Sequence, residues 1–100
     1  MKRRWVVQYG PEYPESKRAC RASPGRLKLH LAAIELNLER DPFEYSEPFD
    51  DESHRVIETT DYFNDGFVLT AFVRLCEGFI AQIMWLDMRP LPDDGEEDED

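Results

Sequence analysis

Few side chains in this sequence are placed to do chemistry, and they are widely spaced. Past residue 41 the Lys and Arg residues are Arg55, Arg74 and Arg89. Arg89 closes the stretch Met84-Trp85-Leu86-Asp87-Met88, in which Asp87 is the one group able to accept a proton and no Tyr or His is present. The two cysteines, Cys20 and Cys76, and the two histidines, His30 and His54, show neither CxxC nor HxxxH spacing. That argues for reduced structural thiols, no metal site and no cofactor. Any activity must come from arginines, a carboxylate and the aromatic side chains near them, Phe72 and Trp85.

The elements that carry these residues can be read from local pattern. Trp5-Val6-Val7-Gln8-Tyr9 is rich in strand formers and is stopped by Gly10-Pro11. A short helix is expected to start near Pro14, since proline is tolerated in a first turn. Ser23-Pro24 opens the clearest helix, over about 24–40, with Ser23 as cap. Leu27, Leu31, Ile34 and Leu38 share one face, and Asp41-Pro42 ends the run. Residues 41–53 read as an irregular acidic connection anchored by Phe43, Tyr45 and Phe49. Three strands follow, over about 55–63, 67–76 and 79–88, joined by tight turns at Asn64-Asp65-Gly66 and Glu77-Gly78. Arg89-Pro90-Leu91-Pro92 leaves the sheet.

Two-residue turns fix a register. Ile57 then faces Arg74, and Arg74 faces Ala81. One face carries Val56, Tyr62, Phe67, Leu69, Ala71, Val73, Leu75, Ile80, Met84 and Leu86 and receives the helices. The other carries Arg55, Ile57, Thr59, Thr70, Phe72, Arg74, Ile83, Trp85 and Asp87. This second face is mixed, and a mixed face with arginines and exposed aromatics is a candidate binding surface. A turn one residue longer would move a whole strand to the opposite face. Leu31, Ile34, Leu69, Ala71, Val73 and Leu86 are expected in the core. The fold class is α+β in the order β-α-α-β-β-β, two helices packed on one face of a small antiparallel sheet.

This order, over residues 4–88, resembles the RelE/ParE toxin superfamily. Trp5 to Tyr9 looks like the opening strand, and Leu31 to Pro42 is similar to a leucine-rich helix closing on Asp-Pro. Arg55-Val56-Ile57 resembles the arginine-led strand after the loop, and 67–73 with 79–86 the final hairpin. The resemblance implies a toxin that cuts mRNA on the ribosome or inhibits DNA gyrase, with a cognate antitoxin as partner. RNA-cutting members use basic residues over the sheet and a Tyr or His near the end of the last strand. Arg55 and Arg74 match the strand arginines, whereas 84–88 lacks that Tyr or His. Cleavage needs a base for the 2′-hydroxyl and cations for the phosphorane. The sequence therefore favours action by binding, through Arg55, Arg74, Phe72, Trp85, Asp87 and Arg89.

Charge supplies a competing reading. The 100 residues hold 12 Lys+Arg and 22 Asp+Glu, for a formal net charge of -10. Residues 1–40 are net basic, with Lys17, Arg18, Arg21, Arg26 and Lys28 around the helical hairpin. Seven acids crowd into 93–100. Such a segment has no apolar side chain to bury, so it is expected to be a disordered tail on a single domain spanning 1–92, dispensable for folding. It is either a solubilising tail, a surface for a basic partner or a cover for the basic half. A non-enzymatic acidic interaction protein is thus the alternative function, and a homodimer through the exposed sheet face a further one. No apolar run is long enough to span a bilayer and no signal peptide is evident, so a cytoplasmic location is expected.

Overall fold

The computed structural model describes residues 4–59 and 66–90. The elements are β1 (Val6–Tyr9), α1 (Tyr13–Ala19), α2 (Pro24–Arg40), α3 (Pro42–Tyr45), β2 (Glu47–Phe49), β3 (Asp51–Glu58), β4 (Phe67–Cys76) and β5 (Ile80–Pro90). The expected turn residues Asn64-Asp65 and the acidic tail lie outside the described residues.

Local chemistry accounts for α2. The Ser23 hydroxyl accepts from the Arg26 backbone N–H at 3.4 Å, and Pro24 occupies the first turn. Leu27, Leu31, Ile34 and Leu38 form its buried stripe, with Ile34 1% and Leu38 0% exposed. At the far end Asp41 closes α2 and opens α3, its carboxylate accepting from the Phe43 and Glu44 N–H groups at 3.1 and 3.2 Å. The connection expected to be irregular thus contains a short helix and the edge strand β2.

The strands form one five-stranded sheet in the order β1-β5-β4-β3-β2. The α+β class stands, but the sheet is mixed: β1 runs parallel to β5, from Val6 beside Ile80 to Tyr9 beside Ile83. The other neighbours are antiparallel. The expected core residues are all buried, Leu31 at 6% and the other five at 2% or less.

The register differs from the one that two-residue turns dictate. Ile57 pairs with Ala71, three residues from the expected partner Arg74. An odd shift turns β3 over. Arg55, Ile57 and Thr59 therefore face the helices and are buried, while Val56 is on the open side. At the second turn Cys76 pairs with Ile80, which leaves Glu77, Gly78 and Phe79 in the turn, the last two at φ 84° and 61°. Arg74 accordingly faces Gln82 rather than Ala81, and Ile83, expected outside, is fully buried. A bulge at Met84 then shifts the register once more, so that Phe72 pairs with Trp85. The two changes cancel, and Trp85, Leu86 and Asp87 keep their expected sides.

β1 is too short to cover β5. Its pairing ends where the Gly10 N–H donates to the Ile83 carbonyl at 2.8 Å. Beyond that point α1 takes over, and Ser16 Oγ accepts from the Leu86 N–H at 2.9 Å. A second buried polar group, His30 on α2, meets Thr59 Oγ1 at 2.8 Å and stacks on Phe67. Thr59 in turn pairs with Leu69 through its backbone N–H and its hydroxyl. These contacts hold the helices on one face; the other, called the open face below, carries no helix among the described residues, with Trp85 exposed on it and Val68 and Thr70 buried.

Candidate functional site on the open face of the sheet

Alternation along β4 sends Phe67, Leu69, Ala71 and Val73 to the helices and Val68, Thr70, Phe72 and Arg74 to the open face. The observed register extends the outer set into rows across three strands. One row is His54, Arg74 and Gln82; the next is Val56, Phe72 and Trp85; the third is Glu58, Thr70 and Asp87. Arg89 lies beyond, opposite Val68.

The middle row is an aromatic strip. Phe49 from β2 meets Phe72 edge-on with centroids 5.5 Å apart, and Trp85 on the next strand is 40% exposed. The third row is internally neutralised. Arg89 Nη2 lies 3.3 Å from Glu58 Oε2, and the Thr70 hydroxyl donates to the same oxygen at 3.3 Å. Asp87 sits opposite Thr70 without an ion pair to a described cation.

The first row has different electrostatics. Arg74 donates to Gln82 Oε1 at 3.1 Å and makes no ion pair with a described carboxylate. Its guanidinium is exposed and keeps unused donors for an anion. Directly across from it stands His54, with Cβ atoms of such cross-strand partners about 5 Å apart. His54 Nδ1 is 3.0 Å from Asp51 Oδ1. That oxygen also accepts from Ser53 and from the His54 N–H. The His54 side chain first, and Ser53 with it, holds the Asp51 carboxyl well below the ordinary carboxylate value. The contact with Asp51 fixes the orientation of the His54 ring beside Arg74. The turn that places Asp51 is tight, with Asp50 at φ 81° between Phe49 and Asp51.

Five of the six candidate residues, Arg74, Phe72, Trp85, Asp87 and Arg89, therefore share one face. Arg55 does not join them. The β3 register turns it inward, where its guanidinium is 5% exposed and makes five hydrogen bonds. Nε donates to Ser46 Oγ at 2.7 Å and Nη2 to the Ser46 carbonyl at 3.0 Å. Glu52 Oε1 receives Nη1 at 2.9 Å, the Phe43 and Glu52 carbonyls are each 3.4 Å away, and the charge lies 5.0 Å over the Phe43 ring. Here the arginine fastens α3 and β2 to β3. His54, Gln82 and Phe49 are the residues of this face that sequence reasoning missed. The spacing Asp51-x-x-His54 was a signal for a local pair, but the row it joins depends on the three-residue register shift.

No protein-family model matches the chain, and no curated protein matches it. Two solved structures are similar. One is the isolated E. coli RelE toxin, with a TM-score of 0.55 at 12% identity over 94% of this chain and 93% of that one. The other is a double arginine-to-alanine mutant of E. coli RelE in complex with an antitoxin RelBc peptide, with a TM-score of 0.53 at 13% identity, covering 92% and 87%. At this identity the likeness concerns architecture, and the chain has a RelE-like fold.

Proposed function

We propose that this chain is the toxin of a toxin–antitoxin pair and that it engages its target through the open face of the sheet. The observation that carries the reading is the gathering of Arg74, Phe72, Trp85, Asp87 and Arg89 on that face, in a fold shared with a toxin. Exposed aromatics beside a guanidinium suit an anionic or π-rich partner, a ribosomal or replication component, and each charge-assisted contact contributes about 1.5–3 kcal/mol once desolvated. The E. coli neighbour was solved with an antitoxin peptide, which supports an antitoxin partner here. Induced expression tests the reading. Growth arrest by the parent chain, relieved by Arg74→Ala and by Trp85→Ala, supports it; unimpaired growth with the folded parent chain present overturns it.

One observation favours RNA cleavage over simple binding. His54, oriented by Asp51 and facing Arg74, supplies the proton-transfer group that 84–88 lacks. The imidazole would take the 2′-hydroxyl proton as that oxygen attacks phosphorus, Arg74 would stabilise the charge that builds on the phosphorane, and the P–O5′ bond would break with water protonating the departing 5′-oxygen. Purified protein on translating ribosomes separates the two. Codon-positioned cuts abolished by His54→Ala establish cleavage; intact mRNA with growth arrest retained leaves binding as the mechanism.

A further inference from the structure

Pairing with β1 stops at Ile83, and a shallow pocket of about 340 Å³ lies along the edge of β5 beyond it. Trp85, Asp87 and Met88 line this pocket from β5, and Cys20 and Arg21 line it from the chain that leaves α1. Two of these side chains carry charge that the fold leaves unused. Asp87 and Arg21 are exposed, and no ion pair among the described residues involves either. Burial first, and the Asp87 charge after it, push the Cys20 thiol above its ordinary value, so that carboxylate is felt across the pocket.

The edge also offers backbone. Leu86 turns its N–H away from β4, toward Ser16 Oγ. Alternation along the strand repeats that orientation at Met88. Its partner on β4, Leu69, turns its own N–H the opposite way, toward Thr59 Oγ1. The Met88 N–H therefore points to the uncovered edge, where it meets no acceptor among the described residues. Asp87 is the next residue, and Trp85 lies two positions back on the same face, about 6.6 Å along the strand. Its indole is 40% exposed. The pocket thus presents a flat apolar ring, then one donor beside two acceptor oxygens.

That pattern selects among the nucleobases. The pairing edge of guanine carries an acceptor, O6, followed by two donors, N1–H and N2–H, and meets the Met88 N–H and the Asp87 carboxylate without conflict. Adenine sets its N1 lone pair against the carboxylate, cytosine its N3 and O2, and uracil its O2. We propose that the pocket at the β5 edge is a guanine site, in which the base stacks on Trp85, N1–H and N2–H donate to Asp87, O6 accepts from the Met88 N–H, and Arg21 supplies the cation for the nucleotide's phosphate. The proposal rests on the reading of the open face as the surface that engages the target, and it names the chemistry taken there. Stacking on an aromatic ring tolerates any base, so the selectivity belongs to Asp87.

Equilibrium titration of the purified full chain with GMP, IMP, AMP, CMP and UMP tests this. GMP should bind about 5- to 150-fold more tightly than AMP, CMP or UMP, the range that one bidentate base contact supplies. IMP, which lacks the 2-amino group, should fall between. Asp87→Asn should bring GMP down to the level of AMP, and Trp85→Leu should weaken all the nucleotides alike, with urea unfolding curves showing that each variant is folded. Short single-stranded RNAs with one central guanine separate the two sources of the base. Binding tighter than GMP and weakened by Arg74→Ala assigns the site to a strand, and binding equal to GMP assigns it to the free nucleotide; either upholds the guanine site. Three results overturn it: no saturable binding of GMP, equal binding of GMP and AMP, or a preference for GMP that survives Asp87→Asn. No growth measurement enters, so the guanine site and the toxin reading fail separately.

Discussion

The Leu86 backbone N–H donates to Ser16 Oγ at 2.9 Å across 70 residues of chain, in a site where Ser16 is 1% exposed. Ser16 also donates to the Tyr13 carbonyl at 2.8 Å, so one hydroxyl serves α1 and the sheet at once. Ser16→Ala leaves a buried strand N–H without a partner. The expected cost is about 1–3 kcal/mol. Urea unfolding should show it as a lower midpoint with an unchanged slope.

Arg55 and Arg74 should behave oppositely. Arg55→Ala removes five hydrogen bonds and strands the buried Ser46 groups, for an expected loss of about 2–4 kcal/mol. Its ion pair with Glu52 adds little to this, because that carboxylate is 80% exposed. Arg55→Lys should recover only part of the loss, since an ammonium cannot present the planar fork. Arg74→Ala, on the open face, should change stability by no more than about 0.5 kcal/mol. Parallel denaturation curves check the contrast, and a growth effect of Arg74→Ala is then free of any folding defect.

The Asp51–His54 pair predicts a pH dependence. The folded-state Asp51 carboxyl titrates below its ordinary value of 3.8, chiefly through the His54 side chain. A depressed carboxyl stabilises the fold above that value and loses its contribution as pH falls toward the folded pKa. Wild type should therefore be more stable than Asp51→Asn at neutral pH, and the gap should close below about pH 3.8. Melting temperatures of both proteins from pH 7 to pH 2 measure this. Because the carboxylate is exposed, added salt should shrink the gap at neutral pH.

Leu31 and Leu69 face each other's elements across the helix–sheet core, at 6% and 0% exposure. Leu31→Ala and Leu69→Ala should each cost about 2–5 kcal/mol, with the larger loss at the fully enclosed Leu69. Chemical denaturation with matched slopes checks both values.

What could be read from the sequence follows from the range of the forces involved. The limits of α2 were legible because Ser23, the leucine spacing and Asp41-Pro42 act within a few residues of each other. The core side of β4 was legible because Phe67, Leu69, Ala71 and Val73 alternate strictly. The position of Arg55 was not, because it hangs on how β3 slides along β4, and Asn64-Asp65-Gly66 suggested a tighter connection than the Ile57–Ala71 pairing allows. The bulge at Met84 was equally hidden: Met84 differs in no local way from its neighbours, and its place is set by Gly10 and α1 on the adjoining edge. Placing Arg74, Phe72, Trp85 and Asp87 on one face succeeded because two register errors on β5 cancelled.

Parallel pairing of β1 with β5 also bears on how the chain acquires its shape. The first strand has no sheet partner until the last strand exists, so during synthesis Val6–Tyr9 waits for Ile80–Ile83 to emerge. The hairpin of β4 and β5 is the local unit, and closing β1 onto it spends loop entropy late. The open-face rows are complete once β3, β4 and β5 have paired, whereas the α1–α2 groove, which Tyr9 helps to line, needs β1 in place. Hydrogen exchange pulsed during refolding should thus protect the amides of β4 and β5 early and those of Val6–Tyr9 later, giving the two surfaces of this small protein different times of birth.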